Sequence, residues 1–368
     1  MEFTCERQIL LEGINAAQKA VSAKSLIPAL EGILIETGAG HLRLTGYDLE
    51  IGIECVVEAE IKRKGSAVFN SRIFGEIVRK LSGDTVMISV DDNYIATVKC
   101  GKSVYDISIL KPSDFPELPK VEGEKSITIN QKKLKSMIRQ TIFAVSQNDS
   151  KPVHTGSLFE FKENILTVVS VDGYRLALRR EAALGDSASF IVPGKSLSEI
   201  SKILADDENS EVTLSVSRKH IQLVIGEYRV ISRLLEGEFL DYRKTVPTDG
   251  QINSVIAVRD FIDCVERASL LISEKVRSPV RLNVDDTSLI VKCVTQIGKI
   301  EDEIQIESSG GTLEIGFNNR YLLDALKASE KEKILMVFSS PLSPCVIKPE
   351  QGDEFLFLVL PVKLKTAD

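Results

Sequence analysis

One order of elements recurs three times along the chain: a short strand, an amphipathic helix, a run of strands, a second helix and more strands. The period is roughly 125 residues, the size of a domain and far longer than a solenoid repeat. In the first unit Met1–Cys5 reads as a strand. A helix follows from Glu6, with Ile9, Leu10, Ile14, Ala17 and Val21 on one face. The second helix is expected over Ser71–Leu81, with Ser71 as its N-cap. The next unit has helix patterns over Gln131–Val145 and Lys195–Leu204, and the last over Arg259–Ile272 and Tyr321–Ala328. Leu10, Leu134 and Phe261 hold like places in the first helices; Phe74, Leu197 and Leu322 do so in the second. Pro112–Pro119 and Gly237–Pro247 read as linkers. The expected domains are therefore 1–123, 124–250 and 251–368, each α+β, with two helices packed on antiparallel sheets.

Charge is unevenly spread. The 368 residues carry 46 Lys and Arg against 53 Asp and Glu, a net charge of -7, which argues against a uniformly basic nucleic-acid coat. The helices nevertheless read as basic. Gln131–Arg139 holds Lys132, Lys133, Lys135 and Arg139 with no acid; Ser71–Leu81 holds Arg72, Arg79 and Lys80 against Glu76; Lys195 and Lys202 face Glu199. Acid collects at Asp206-Asp207-Glu208 and Glu301-Asp302-Glu303. Any one such helix is ordinarily a solvated face. The same bias expected over five helices points to a shared basic surface.

Nothing in the sequence assembles a catalytic or metal site. Gly194-Lys195-Ser196 ends like a phosphate loop, but Ser189 stands where the earlier glycine is needed. His41, His154 and His220 lack ligand spacing. The pairs Asp91-Asp92, Asp206-Asp207 and Asp285-Asp286 suit turns better than metals. No cofactor is expected. Cys5, Cys55, Cys100, Cys264, Cys293 and Cys345 are scattered, with no CxxC pair, as reduced buried thiols would be. The N-terminus has no basic segment leading into an apolar one, and the longest apolar run, Phe355–Val362, is too short to span a membrane. A soluble, cytoplasmic protein is the expectation.

Eight stretches carry a resemblance: MEFTCERQILLEGI, LIPALEGILIE, DFPELP, SVDGYRLALRR, FIVPGKSLSEI, EGEFLDYRKTVP, LEIGFNNRYLLDAL and LVLPVKL. In this order and spacing they resemble the bacterial DNA polymerase III β subunit family, the sliding clamps, over the whole length. Two departures fall on the linker, where the family often has Arg at Lys244 and Pro at Leu240. The chain also runs on past Leu364 with Lys-Thr-Ala-Asp.

The resemblance implies a head-to-tail homodimer ring in the DNA clamp fold, encircling duplex DNA in the nucleoid and tethering the polymerase without chemistry of its own. It implies as partners the DNA polymerase III α subunit, a clamp loader, and other polymerases and repair proteins carrying a clamp-binding peptide. Lys24 and Gln147 match family DNA-contact positions, and join Arg72, Arg79, Lys132, Lys133, Lys135, Arg139, Lys195 and Lys202 as expected DNA contacts. The partner-peptide pocket is expected from His154, Val171, Gly173, Tyr174, Arg175, Leu176, Leu240, Lys244, Thr245 and Val246. The last unit adds Asn318, Tyr321, Leu342, Pro344, Leu358, Leu360, Pro361 and Val362. There Arg175 and Asn318 would orient a glutamine side chain or the peptide backbone. The ring joint is expected to bring Leu270, Leu271, Glu301 and Glu303 to Ile73, Ile77, Leu81 and Tyr105, with Arg72, Lys99 and Lys102 opposing the acids. A repeat-built enzyme or a scaffold that does not bind DNA is the competing reading.

Overall fold

The computed structural model describes residues 1–148, 150–248, 250–272 and 278–364. The terminal Lys365-Thr366-Ala367-Asp368 lies outside them. Six α-helices are present among the described residues: α1 Arg7–Gln18, α2 Ser71–Lys80, α3 Gln131–Thr141, α4 Gly194–Ile203, α5 Val258–Ser269 and α6 Asn319–Ala328. They fall in pairs at the expected places. The six anchors that the repeat singled out, Leu10, Leu134, Phe261, Phe74, Leu197 and Leu322, are all buried. An apolar side chain recurring at the same point of each helix is what a thrice-used core requires.

Contacts group the chain into two compact units. One comprises Met1–Lys132 and Lys195–Leu234, the other Lys133–Gly194 and the chain from Leu235 on. In the first unit a five-stranded antiparallel sheet runs Glu60–Arg63, Glu2–Glu6, Thr85–Val90, Ile95–Cys100, Ser103–Ser108. A longer sheet runs Lys125–Asn130, Glu211–Val216, His220–Ile225, Tyr228–Arg233, Ile51–Glu58, His41–Tyr47, Gly32–Thr37, Ser66–Asn70. Its hinge is the pairing of Tyr228–Arg233 with Ile51–Glu58, which fuses strands of the first and second repeats into one ladder. The α1 helix packs on strands of both sheets, over a core of Phe3, Leu10, Ile14, Leu44, Phe69, Phe74 and Ile88.

The other unit repeats the device. A nine-stranded sheet runs Ala188–Pro193, Gly156–Lys162, Ile165–Val171, Arg175–Ala182, Phe355–Val359, Cys345–Pro349, Lys333–Phe338, Ile252–Ala257, Glu307–Ser309. Here Arg175–Ala182 pairs with Phe355–Val359, joining the second repeat to the third. A four-stranded sheet runs Gly298–Gln305, Ser288–Thr295, Val280–Val284, Leu313–Phe317. Helices α5 and α6 pack on each other over Phe261, Cys264, Leu282, Phe317, Leu322 and Phe338. All six cysteines are free and buried, as their apolar settings suggest.

Two local expectations are corrected. Asn70, and not Ser71, caps α2: its Oδ1 accepts the Ile73 N–H at 3.0 Å, and Ser71 is the first helical residue. Either residue type can cap, and the pattern could not choose between neighbours. The helix expected over Gln131–Val145 stops at Thr141 and gives way to a 3-10 turn, Ile142–Ala144. Thr141 Oγ1 donates back to the Met137 carbonyl at 2.8 Å, a local bond that competes with continued helix.

Candidate functional site

The Asp172 turn is the centre of the candidate partner site. Gly173 takes φ +91°, a conformation that costs side-chain-bearing residues energy. Asp172 Oδ1 accepts the backbone N–H groups of Tyr174 (2.9 Å) and Arg175 (3.1 Å), locking the corner of the hairpin. Arg175 then points inward. It is 8% exposed, donates from Nε to Asp172 Oδ2 at 2.9 Å and from Nη1 to Asp324 Oδ2 at 2.6 Å, and lies 4.6 Å from the Tyr321 ring centre. Tyr174 stacks on Tyr321 at 5.8 Å. A strand turn of the second repeat is thus clasped to α6 of the third by one ion pair, Arg175–Asp324, and by stacked rings, while the Arg175–Asp172 pair stiffens the turn itself. The Arg175 guanidinium, expected to orient a peptide, is held by the Asp172 and Asp324 carboxylates.

Beside this clasp lies an apolar floor. Val171, Leu176 and Leu358 are buried with Leu158, Ile191 and Val346, and Val153 and Val246 pack half-buried against them. Among the other residues expected at this site, Leu240, Leu342, Leu360 and Val362 are exposed, and Pro344 and Pro361 half-buried. The C-terminal segment is tied down by alternate N–H groups, Leu360 to the Tyr174 carbonyl (2.9 Å) and Val362 to the Gly316 carbonyl (2.8 Å). Asn318 is the N-cap of α6, accepting from Arg320 and Tyr321. His154 packs edge-on against Phe239 at 5.5 Å, and burial, with nearby Lys151, holds its imidazole below the usual pKa. On the linker, Lys244 pairs with Asp241 at 3.0 Å and Thr245 Oγ1 bonds the Tyr242 carbonyl. The Tyr242 hydroxyl, 3.0 Å from Glu160 Oε2, is pushed up to about 12 by burial and that carboxylate. The sequence-selected residues of this site all lie in the second compact unit, where Val171, Leu176, Val246 and Leu358 share one apolar cluster and Tyr174 and Arg175 meet Tyr321. Asp172, Asp324 and Phe239 escaped sequence selection; only the Asp-Gly turn signal before Tyr174 could have drawn attention to Asp172.

The candidate DNA-contact cations carry an unexpected feature: most are paired with acid. Lys132 meets Glu208 at 2.8 Å, Lys133 meets Glu181 at 3.5 Å and Arg139 meets Glu330 at 3.0 Å. Lys195 meets Asp48 at 2.6 Å and Lys202 meets Glu199 at 2.8 Å. Arg79 pairs with Glu76 and also reaches Asn15. Lys135 is half-buried on α3; Lys24, Arg72 and Gln147 are exposed. The basic bias stops short of α5, which sets Asp260, Asp263 and Glu266 against Arg259 and Arg267.

At the expected ring joint, Leu270 is 81% exposed just beyond α5, whereas Leu271 leans on the core. Ile73 and Tyr105 are exposed, Ile77 is half-buried, and Glu301 and Glu303 are exposed on the edge strand Gly298–Gln305. Leu81 is corrected: it is buried in the core of the first repeat and offers nothing to a partner. Among the described residues no cluster of His, Cys, Asp and Glu could hold a metal, and no helix is long and apolar enough to cross a membrane.

Three α+β repeats fused by shared sheets, with an apolar cluster at the second fusion, define a clamp-type architecture. Sequence profiles of the DNA polymerase III beta subunit match throughout: the N-terminal domain at residues 1–119, the central domain at 128–241 and the C-terminal domain at 243–363. The beta sliding clamp of Halalkalibacterium halodurans is 34% identical over 380 residues, covering 99% of this chain and 100% of that one. That of Staphylococcus aureus is 32% identical over 375 residues, with 99% of each covered. Among solved structures, the sliding clamp of Bacillus subtilis superposes with a TM-score of 0.95 at 32% identity, over 99% of this chain and 100% of that one. The Pseudomonas aeruginosa clamp bound to griselimycin gives 0.94 at 30% identity, with the same coverage. The chain belongs to the DNA polymerase III beta subunit family, the sliding clamps of DNA replication. That family is the processivity subunit of the polymerase and is not catalytic.

Proposed function

We propose that two copies close head to tail into a ring around duplex DNA, and that each copy tethers polymerase, clamp loader and repair proteins through the groove beside Asp172. The observation that carries the tethering reading is the groove's composition: a buried apolar floor, an exposed apolar rim and a wall fixed by Arg175. Such a surface suits a short peptide with apolar anchors. One groove shared by several partners makes them competitors.

Closure is supported by the sheet edges. Each junction inside the chain is made by pairing the strands of successive repeats. Ser103–Ser108 ends the five-stranded sheet of one unit, and Gly298–Gln305 ends the four-stranded sheet of the other. An unpaired edge invites another strand, and two unlike edges that meet between copies close a ring when the rotation allows. Acids at Glu301 and Glu303 would meet bases at Lys99 and Lys102. The domain limits of this reading are 1–123, 124–250 and 251–368, beside family profiles that span 1–119, 128–241 and 243–363. The nucleoid is the location this reading implies.

Deleting Leu360–Asp368 removes one rim of the groove and leaves both proposed edge strands. Isothermal titration with a Gln-Leu-x-Leu-Phe-type peptide should lose its signal in the truncated chain, while sedimentation still gives a dimer. Full peptide affinity in that truncation would overturn the groove assignment.

A further inference from the structure

The two junctions are built on the same turn, and they differ in what the linker does next. At the first, Asp48 Oδ1 accepts the N–H groups of Glu50 (3.0 Å) and Ile51 (2.8 Å), as Asp172 does for Tyr174 and Arg175 at the second. Leu49 sits at φ +75° where Gly173 sits at +91°. In each case the strand after the turn pairs with the next repeat. Counting from the aspartate, Tyr47 stands for Val171 and Gly52 for Leu176. The first junction also has its own apolar floor, Ala29, Leu30, Tyr47, Val68 and Phe115, and its own exposed apolar rim. In that rim Leu26 is fully exposed, at 103%, and Ile27 and Leu49 are exposed as well. Leucine held at positive φ and left in solvent is a strained and otherwise unrewarded choice.

The linkers then diverge. Leu118 and Tyr242 each lie three residues after a linker phenylalanine, Phe115 and Phe239. The Tyr242 hydroxyl is drawn to Glu160, 3.0 Å away. Leu118 has no polar group to tether it, and it folds onto the glycine: a side-chain carbon at Gly52 would lie 2.0 Å from Leu118 Cδ2 and 3.3 Å from Tyr47 Cδ2. The space that a residue at position 52 would take is filled from the linker.

We propose that the first junction is a second peptide groove, held shut by Leu118 as an internal plug, so that each chain presents a single open groove. The proposal rests on the partner groove of the second junction being real. It names one occupant, the linker's own Leu118, and one class of displacing ligand, a short peptide with leucine and phenylalanine anchors. The test is peptide stoichiometry in the full-length chain, using a synthetic Gln-Leu-Ser-Leu-Phe peptide. The wild-type chain should bind one peptide, and Leu118→Ala should bind two, the second more weakly. Gly52→Ala, whose added carbon needs the volume of Leu118 Cδ2, should expel the plug by an independent route and give the same second equivalent. A folded Leu118→Ala or Gly52→Ala chain that still binds a single peptide overturns the plug. A wild-type chain that binds none overturns instead the groove reading beneath it.

Discussion

Arg175 shows how one residue fixes the candidate partner site. Its charge is buried, and Asp172 and Asp324 sit against it at 2.9 and 2.6 Å. Removing one member of a buried, hydrogen-bonded ion cluster leaves the others uncompensated, typically at a cost of about 3 kcal/mol. Arg175→Ala should therefore lower urea-unfolding stability by about 2–3 kcal/mol and loosen the Tyr174–Tyr321 stack. An unchanged unfolding midpoint would show that the clasp is not what holds this turn. At this scale the sequence was legible in part. Val171, Leu176 and Leu358 announce themselves as apolar residues in strand runs. The pairing of Arg175 with Asp324 does not, because the partners stand 149 positions apart and meet only through the fusion of two repeats.

Among the elements, the helices were the most legible, since apolar spacing at the helical period reports a buried stripe directly. Their ends were less so: Asn70 and Ser71 are both competent caps, and α3 ends where the Thr141 backbone leaves helical geometry at φ −120°. Charge was the hardest to read. The run from Lys132 to Arg139 looks purely basic in sequence, yet Glu208, Glu181 and Glu330 reach three of its cations from distant segments. Exposed pairs of this kind are weak, so on the proposed reading phosphate would displace them and they would moderate attraction to DNA. Reversing Lys132, Lys133 and Lys135 to Glu should weaken duplex binding and flatten its salt dependence. Glu208→Gln should do the reverse, strengthening binding roughly threefold at low salt by releasing Lys132. Both are read from fluorescence-anisotropy titrations across a salt series. Unchanged affinity in the triple variant would remove α3 from the DNA-contacting surface.

The order of repeats along the whole molecule was legible because each repeat must bury its own helices. The fusion of repeats through common sheets was not, since strand pairing between distant segments leaves little periodic trace. The proposed ring closure joins the two edge strands. Leu270 is exposed beside one of them, so Leu270→Ala with Leu271→Ala should give a folded monomer by sedimentation velocity, with only a small loss of stability from Leu271. An unchanged dimer would place the joint elsewhere. As a sliding clamp, the protein holds DNA topologically, by surrounding it. The most direct test of this is retention on a nicked circular duplex after loading by a bacterial clamp loader with ATP, followed by gel filtration at a salt concentration that abolishes simple adhesion. The protein should co-elute with the intact circle and be released once a single double-strand cut linearises it. Release from the intact circle, or equal retention on the linear form, would contradict the account.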